Sequence, residues 1–188
     1  GSSGFRANYD GGYYRIIGLT IDRDSADNVG LVADSSGGTN AGISSLGLLE
    51  ANFTVNTTNL NHEVGGIIGK VSNYSSNFDL DEVFFEGTIT ISGDPISYIG
   101  GIVGSVTAAG GSKLTSSYFN GTITSPTNGS QFIGGLIGYN TGYGIENSYF
   151  RGKIIGKGSG SVDVGAINFR GNPSSNNYGI TNTYVSAT

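Results

Sequence analysis

One short pattern returns along this chain at an almost fixed interval, and that regularity narrows the fold more than any other feature. VGLVA stands at 29–33, VGGIIG at 64–69, IGGIVG at 99–104, IGGLIG at 133–138 and VGAIN at 164–168. The first glycine of each falls at 30, 65, 100, 134 and 165, giving steps of 35, 35, 34 and 31 residues. A second series keeps pace: VFFEGTITI at 83–91, SYFNGTITS at 117–125, SYFRGKIIG at 148–156 and a truncated TYVSAT at 183–188, with LLEANFTVN at 48–56 as a worn earlier copy. Self-similarity at this period marks a solenoid, whose units stack because none can bury its apolar face alone.

The repeat carries strand signals. GTIT alternates small or polar residues with apolar ones, and Val, Ile, Thr, Tyr and Phe dominate it, as a half-buried strand requires. No window keeps the i, i+3, i+4, i+7 apolar pattern over a helical length, because Gly, Ser and Asn interrupt each one. The expectation is an all-β parallel β-helix (β-solenoid) of about five coils with a period near 34 residues, its coils paired in parallel at about 4.8 Å. Residues 1–28 are read as an N-terminal cap or lead-in and 29–188 as one continuous repeat domain. The inward residues should include Phe53, Phe85, Ile89, Phe119, Ile123, Phe150 and Ile154, with a third strand of each coil near the glycine cluster.

Composition agrees with thin walls and many turns. The 188 residues include 34 glycines and only 36% apolar residues, too little for a round α/β core. With no cysteine there is neither a disulfide framework nor a thiolate metal site. The net charge of −5 and nine scattered Lys and Arg argue against duplex nucleic acid and anionic membrane as partners. No apolar run reaches spanning length and no signal-peptide pattern opens the chain, so it reads as a piece of something longer.

Glycine pairs let backbone approach backbone, which suits a place where two walls of a coil converge. The interval from Ile89, Ile123 and Ile154 to Gly100, Gly134 and Gly165 is a constant eleven residues, whereas the connection after the cluster varies, as in KVSNYSSNFD and YNTGYG. Constant segments read as wall and variable ones as loops that carry specificity. The blocks G-G-I-I-G, G-G-I-V-G and G-G-L-I-G, each followed by a form of N-S-Y-F-x-G, resemble the GLUG repeat of bacterial surface proteins, including immunoglobulin A proteases and large adhesins. The resemblance spans about residues 62–188. It implies a right-handed parallel β-helix, extracellular or on the bacterial cell surface, serving as a stalk or accessory module and bringing no activity of its own.

Several residue groups are candidates for chemistry. With Phe85, Ile89 and Ile91 inward, Thr88 and Thr90 point out, joined by Thr122 and Thr124 in the next coil and by Asn52, Thr54 and Asn56 in the one before. Rows would lie roughly 6.6 Å apart along the strand and about 4.8 Å between coils. Such a grid resembles the Thr-x-Thr faces of antifreeze solenoids, although Lys153 and Ile155 cut it short and threonine is an ordinary exposed strand residue. The same alternation puts Phe84, Tyr118, Tyr149 and Tyr184 outside, where ring faces could take sugars. The alternative is a corner within S-Y-F, with both rings buried or covered. Asp22, Asp24 and Asp27 crowd DRDSADN, read as a loop, and offer oxygen ligands to a calcium ion. Three acids in a solvated turn are equally ordinary, and no other cofactor is indicated.

Catalysis has little to stand on. Glu50 and Glu86 are read as matching positions of neighbouring coils, about 5 Å apart as in a retaining glycosidase, but nothing around them reads as a substrate cleft. His62 has Glu63 beside it without the second histidine of H-E-x-x-H. Sequons at Asn52, Asn56, Asn73, Asn120 and Asn128 are expected in so Asn- and Thr-rich a chain. The functional expectation is a non-catalytic, secreted structural or adhesive module. Its partners would be a host or cell-surface glycan or protein, or neighbouring copies of the same solenoid, without nucleic acid or membrane insertion. The competing reading is ice binding through the threonine rows.

Overall fold

The structure is a computed structural model describing residues 4–24, 27–35, 41–57, 62–72, 77–93, 97–107, 111–157, 159–168 and 179–187; Asn73 lies outside them. The described strands run in chain order as successive rungs. The first rung holds β1 (Asn8–Ile17), β2 (Thr20–Asp24), β3 (Asn28–Val29) and β4 (Val32–Ser35). The next two hold β5 (Ala41–Thr57), β6 (His62–Gly65) and β7 (Ile68–Val71), then β8 (Phe78–Gly93), β9 (Ser97–Gly100) and β10 (Val103–Val106). The fourth is β11 (Lys113–Thr115), β12 (Tyr118–Ser125), β13 (Gln131–Gly134) and β14 (Ile137–Asn140); the fifth is β15 (Gly144–Glu146), β16 (Tyr149–Gly156) and β17 (Val162–Gly165). β18 (Ile180–Thr181) and β19 (Tyr184–Ala187) begin a last one.

These strands stack into three sheets. A broad ten-stranded sheet takes β1, β2, β5, β8, β11, β12, β15, β16, β18 and β19; a second takes β3, β6, β9, β13 and β17; a third takes β4, β7, β10 and β14. Every registered pair is parallel. The molecule is therefore an all-β parallel solenoid of about four turns, since four of the rungs contribute a strand to all three sheets among the described residues. Two strands, not one, flank each of the first four glycine clusters, so β6 and β7 meet at Gly65–Ile68. Residues 8–24 pair with β5 as an outermost rung of the broad sheet.

The pairing of glycine cluster with N-S-Y-F has a packing cause. The core column runs Leu48, Phe85, Phe119 and Phe150 through the broad sheet, and the last three rings stack at 5.5 and 5.7 Å. Each phenyl lies against the second glycine of the opposing cluster: Phe85 on Gly66, Phe119 on Gly101 and Phe150 on Gly135. A Cβ on Gly101 would sit 2.5 Å from the Phe119 ring and closer still to the Gly135 carbonyl oxygen. The narrow end is thus closed by backbone, and the rings fill the space a side chain there would have taken. Phe53, Ile89 and Ile123 are buried in the next inward column and Ile154 is half-buried.

The asparagine and serine of N-S-Y-F turn the chain. Tyr13, Ser45, Glu82, Ser116, Asn147 and Asn182 form one column with φ between 47° and 62°, a left-handed conformation that asparagine tolerates better than most side chains. After Ser116 and Asn147 the next residue, Ser117 or Ser148, supplies a hydroxyl. Val83 N–H donates to Ser117 Oγ at 3.1 Å and Ser117 N–H donates to Ser148 Oγ at 3.2 Å. Backbone groups left unpaired by the bend are satisfied from the following coil. The corner therefore precedes S-Y-F, and strict alternation holds from the tyrosine onward. In the YNTGYG connection Asn140 Oδ1 accepts from Tyr143 N–H at 2.8 Å, while the buried Tyr143 hydroxyl donates to the Phe78 carbonyl. That connection is core and not a contact loop.

Candidate functional site

Both outward candidates lie on one face of the broad sheet. Its outward columns are Phe84–Tyr118–Tyr149–Tyr184, then Glu86–Asn120–Arg151, then Asn52–Thr88–Thr122–Lys153, then Thr54–Thr90–Thr124–Ile155. β2 extends the last two columns with Thr20 and Asp22. Parallel pairing, unshifted from β8 through β12 and β16, aligns like with like, so this part of the face is a lattice fixed by the backbone ladder.

In the aromatic column the rings are stacked: Phe84 on Tyr118 at 4.9 Å with coplanar rings, and Tyr118 on Tyr149 at 4.7 Å with 4° between planes. Phe84 and Tyr118 are half-buried while Tyr149 and Tyr184 are exposed. The corner reading that buried or covered both rings is therefore corrected. The open sugar platform changes too, because neighbours occupy the ring faces and the ladder shows solvent mainly its edges and hydroxyls. Tyr118 Oη donates to Glu86 Oε1 at 2.8 Å. Burial, and then that carboxylate, push the Tyr118 hydroxyl pKa well up; burial also raises Tyr149. Both phenols stay neutral hydrogen-bonding groups through the physiological range. Gly47 leaves the rung before Phe84 without a side chain, and Arg15 reaches across it to place its guanidinium 5.8 Å from the Phe84 ring.

The threonine lattice is equally in register, but its hydroxyls are partly engaged. Thr88 Oγ1 donates to Asn52 Oδ1 at 2.7 Å and Ser92 Oγ to Asn56 Oδ1 at 3.3 Å. Thr88 is exposed, whereas Thr54, Thr90, Thr122 and Thr124 are half-buried. Two rungs carry Thr-x-Thr, and Asp22, Lys153 and Ile155 end the pattern on either side.

Two expectations are corrected. Asp22 and Asp24 do not sit in a loop; they lie on β2, paired with Thr54 and Asn56, and Asp27 lies beyond the strand's end. Among the described residues no group of three or more His, Cys, Asp or Glu is placed to hold a metal ion. Glu50 faces Glu86 only as one half of a bulge and forms no registered pair with it. The register slips between Leu48 and Ala51, leaving Leu49 and Glu50 as two residues against one, with Glu50 at φ 53°. Glu86 is committed to Tyr118.

A polar seam at the narrow end had no signal in the sequence beyond the isolated His-Glu pair. Buried Glu63 takes an ion pair from Lys70 at 2.9 Å, and Lys70 registers with Asp34 on the preceding rung. With its amide turned to donate, Asn28 Nδ2 reaches Glu63 Oε2 at 2.5 Å. Burial raises the Glu63 pKa above the usual carboxylate value, against the opposing pull of Lys70. The seam joins β3, β4, β6 and β7, and the next rungs close the same place with Tyr98 packed on Tyr139 at 4.9 Å.

The fold and these columns define a repeat module built on a parallel β-ladder. Residues 129–155, which run from before β13 to the next-to-last residue of β16, match the GLUG motif. No curated protein and no solved structure matches the chain. The matched segment includes IGGLIG, the Asn147–Ser148 corner and the Tyr149–Phe150 pair, the three elements whose packing repeats along the solenoid. A structural module is what this motif and fold fit.

Proposed function

We propose that the chain is a non-catalytic adhesive module of the bacterial cell exterior, a rigid spacer that binds a cell-surface glycan or protein through the outer face of its broad sheet. The observation that carries this reading is the registered aromatic column beside Glu86, Asn120 and Arg151, a strip of ring edges, phenol hydroxyls and both charges. Polar hydroxyls bordered by aromatic rings suit sugar hydroxyls and peptide groups alike. Held by a ladder, the strip binds without ordering itself first, which lowers the entropic cost of association. Immobilised chain should retain glycans from an array, and Tyr149→Ser with Arg151→Ser should abolish retention while leaving the unfolding midpoint within a few degrees. Equal retention by the variant, or none by the parent, sinks the reading.

A second reading, ice binding, is favoured by the Thr88, Thr90, Thr122 and Thr124 lattice alone. Thermal hysteresis lost on Thr88→Tyr would establish it, and absence of hysteresis in the parent chain removes it.

A further inference from the structure

We propose that Asn128 is a site of spontaneous covalent modification, deamidating through a cyclic imide to aspartate and isoaspartate, while the fold protects the same dipeptide at Asn120. This chemistry goes beyond the glycan- or protein-binding reading and does not depend on it.

The sequons at Asn120 and Asn128 are also the two Asn-Gly pairs of the chain. In such a pair the glycine nitrogen can reach the asparagine side chain, because glycine puts no Cβ in the way and lets the peptide rotate. Gly129 N attacks Asn128 Cγ and a C–N bond forms. The N–H proton passes through solvent to the carboxamide nitrogen, which leaves as ammonia. One water then opens the imide. Addition at the side-chain carbonyl gives aspartate, and addition at the main-chain carbonyl gives isoaspartate, whose main chain runs through Cγ. Nothing is oxidised or reduced.

The structure separates the two sites. Asn120 and Gly121 lie within β12, registered with Glu86 and Gly87 of β8 on one side and with Arg151 and Gly152 of β16 on the other. The backbone there is packed so closely that a Cβ on Gly121 would collide with the Gly87 carbonyl oxygen. Closing the imide at Asn120 requires its peptide to leave a ladder held from both sides. Asn128 and Gly129 instead lie in a bend between β12 and β13, with Asn128 exposed. Among the described residues Gly129 N–H makes no hydrogen bond, so no ladder bond has to break before it attacks. Asn128 Oδ1 accepts from Ser159 N–H at 3.4 Å and from Ser159 Oγ at 3.2 Å. These donors face the oxygen on which negative charge gathers as the ring closes. The product bears on packing, because the Asn128 and Gly129 carbonyls lie against Gly160, where a Cβ would have no space. Aspartate keeps an acceptor for Ser159, whereas isoaspartate lengthens the main chain at this contact between the fourth and fifth rungs.

The two pairs control for each other in one experiment. The folded chain is kept warm in mildly alkaline buffer and then digested, and fragment ions locate each gain of a single mass unit. Asn128 should convert about tenfold or more faster than Asn120, whose reaction waits for local opening of the ladder. In urea, with the chain unfolded, the two rates should converge. Asn128→Gln, which must close a larger and slower ring, should remove the first acidic species seen on ion exchange. Conversion at Asn120 as fast as at Asn128 in the folded chain overturns the proposal. So does an Asn128 that stays intact in the folded chain for as long as both pairs take to convert in urea, or an acidic species that forms unchanged in Asn128→Gln.

Discussion

The broad wall and the narrow end of this solenoid solve opposite problems with the same ladder. On the broad wall the backbone is a shelf: large rings project inward to fill the core and outward to form the stacked column, and one side chain can be changed with its neighbours still in register. At the narrow end the backbone is itself the filler, with Gly101 between the Phe119 ring and the next coil's carbonyl. Side-chain volume is therefore tolerated in proportion to distance from the glycine cluster. The stability of a coil depends on a contact in which one partner is a phenyl ring and the other is no side chain at all.

The sharpest way to break that contrast is to change both sides of one contact. Gly101→Val puts atoms where backbone stands within 2.5 Å, and backbone shared with two neighbouring coils cannot yield. A loss beyond about 4 kcal/mol is expected, enough to abolish soluble expression. Phe119→Ala leaves a cavity on the same spot and should cost about 3–5 kcal/mol, measured as a fall in urea midpoint. If Gly101→Val were milder than Phe119→Ala, the narrow end would be the more plastic region and the comparison would fail.

The polar seam extends the comparison, since it is the one place at the narrow end where charge replaces glycine and ring. Lys70→Met leaves Glu63 without its cation. Because Lys70 is about a third exposed, with 31% of its side chain in solvent, the cost should be about 2 kcal/mol and not the full penalty of a dry ion. Adding Glu63→Gln should recover most of it in a double-mutant cycle. No recovery would mean that Lys70 acts through its aliphatic stem.

Much of this was legible in the sequence, for a definite reason. A parallel solenoid repeats its environment at each coil, so Phe85, Phe119 and Phe150 announce one another, as do Gly66, Gly101 and Gly135, and periodicity stands in for long-range contact. Inward and outward sides followed from alternation once one phenylalanine was placed. What occurs once was hidden. The bulge at Glu50 breaks the register that a repeat alignment assumes, so matching Glu50 to Glu86 by eye gave a pair that the ladder does not make. Asp22 and Asp24 look like a loop because aspartate avoids strands, yet pairing with Thr54 and Asn56 on β5 overrides that preference. The Glu63–Lys70 pair joins two strands across a turn and leaves no periodic trace. A corner within S-Y-F was one of two readings open in the sequence, whereas its position one residue earlier, at the left-handed Asn147 and Asn182, shows only in φ.

That corner gives the next effect in size. Ser148→Ala removes the hydroxyl that accepts Ser117 N–H and leaves a buried donor unpaired. The expected loss is about 1–2 kcal/mol, and Ser148→Thr should restore part of it, since Thr183 makes the same turn-back bond to the Thr181 carbonyl. Amide exchange at Ser117 should quicken more than at Phe119. Uniform acceleration across the coil would instead mark the serine as a general packing residue.

The smallest effect concerns protons at the seam. Burial raises the folded pKa of Glu63 above its ordinary 4.5 despite the nearby Lys70, so the folded state binds this proton more readily than the unfolded chain does. The sign follows from linkage: where the native state holds more protons, unfolding free energy rises as pH falls. The ionised Glu63 penalises folding fully at pH values above its raised folded pKa, and the penalty fades as pH drops through that pKa toward 4.5. Glu63→Gln has no such penalty. Its stability relative to the parent should therefore be highest near neutral pH and decline on acidification, a slope opposite to that of a carboxylate whose ion pair dominates. Urea midpoints of the two proteins from about pH 7 to pH 4.5 measure it directly. A flat gap would mean that Lys70 and burial cancel, and a gap that widens in favour of Glu63→Gln as pH falls would mean that Lys70 outweighs burial and the seam is a stabilising ion pair.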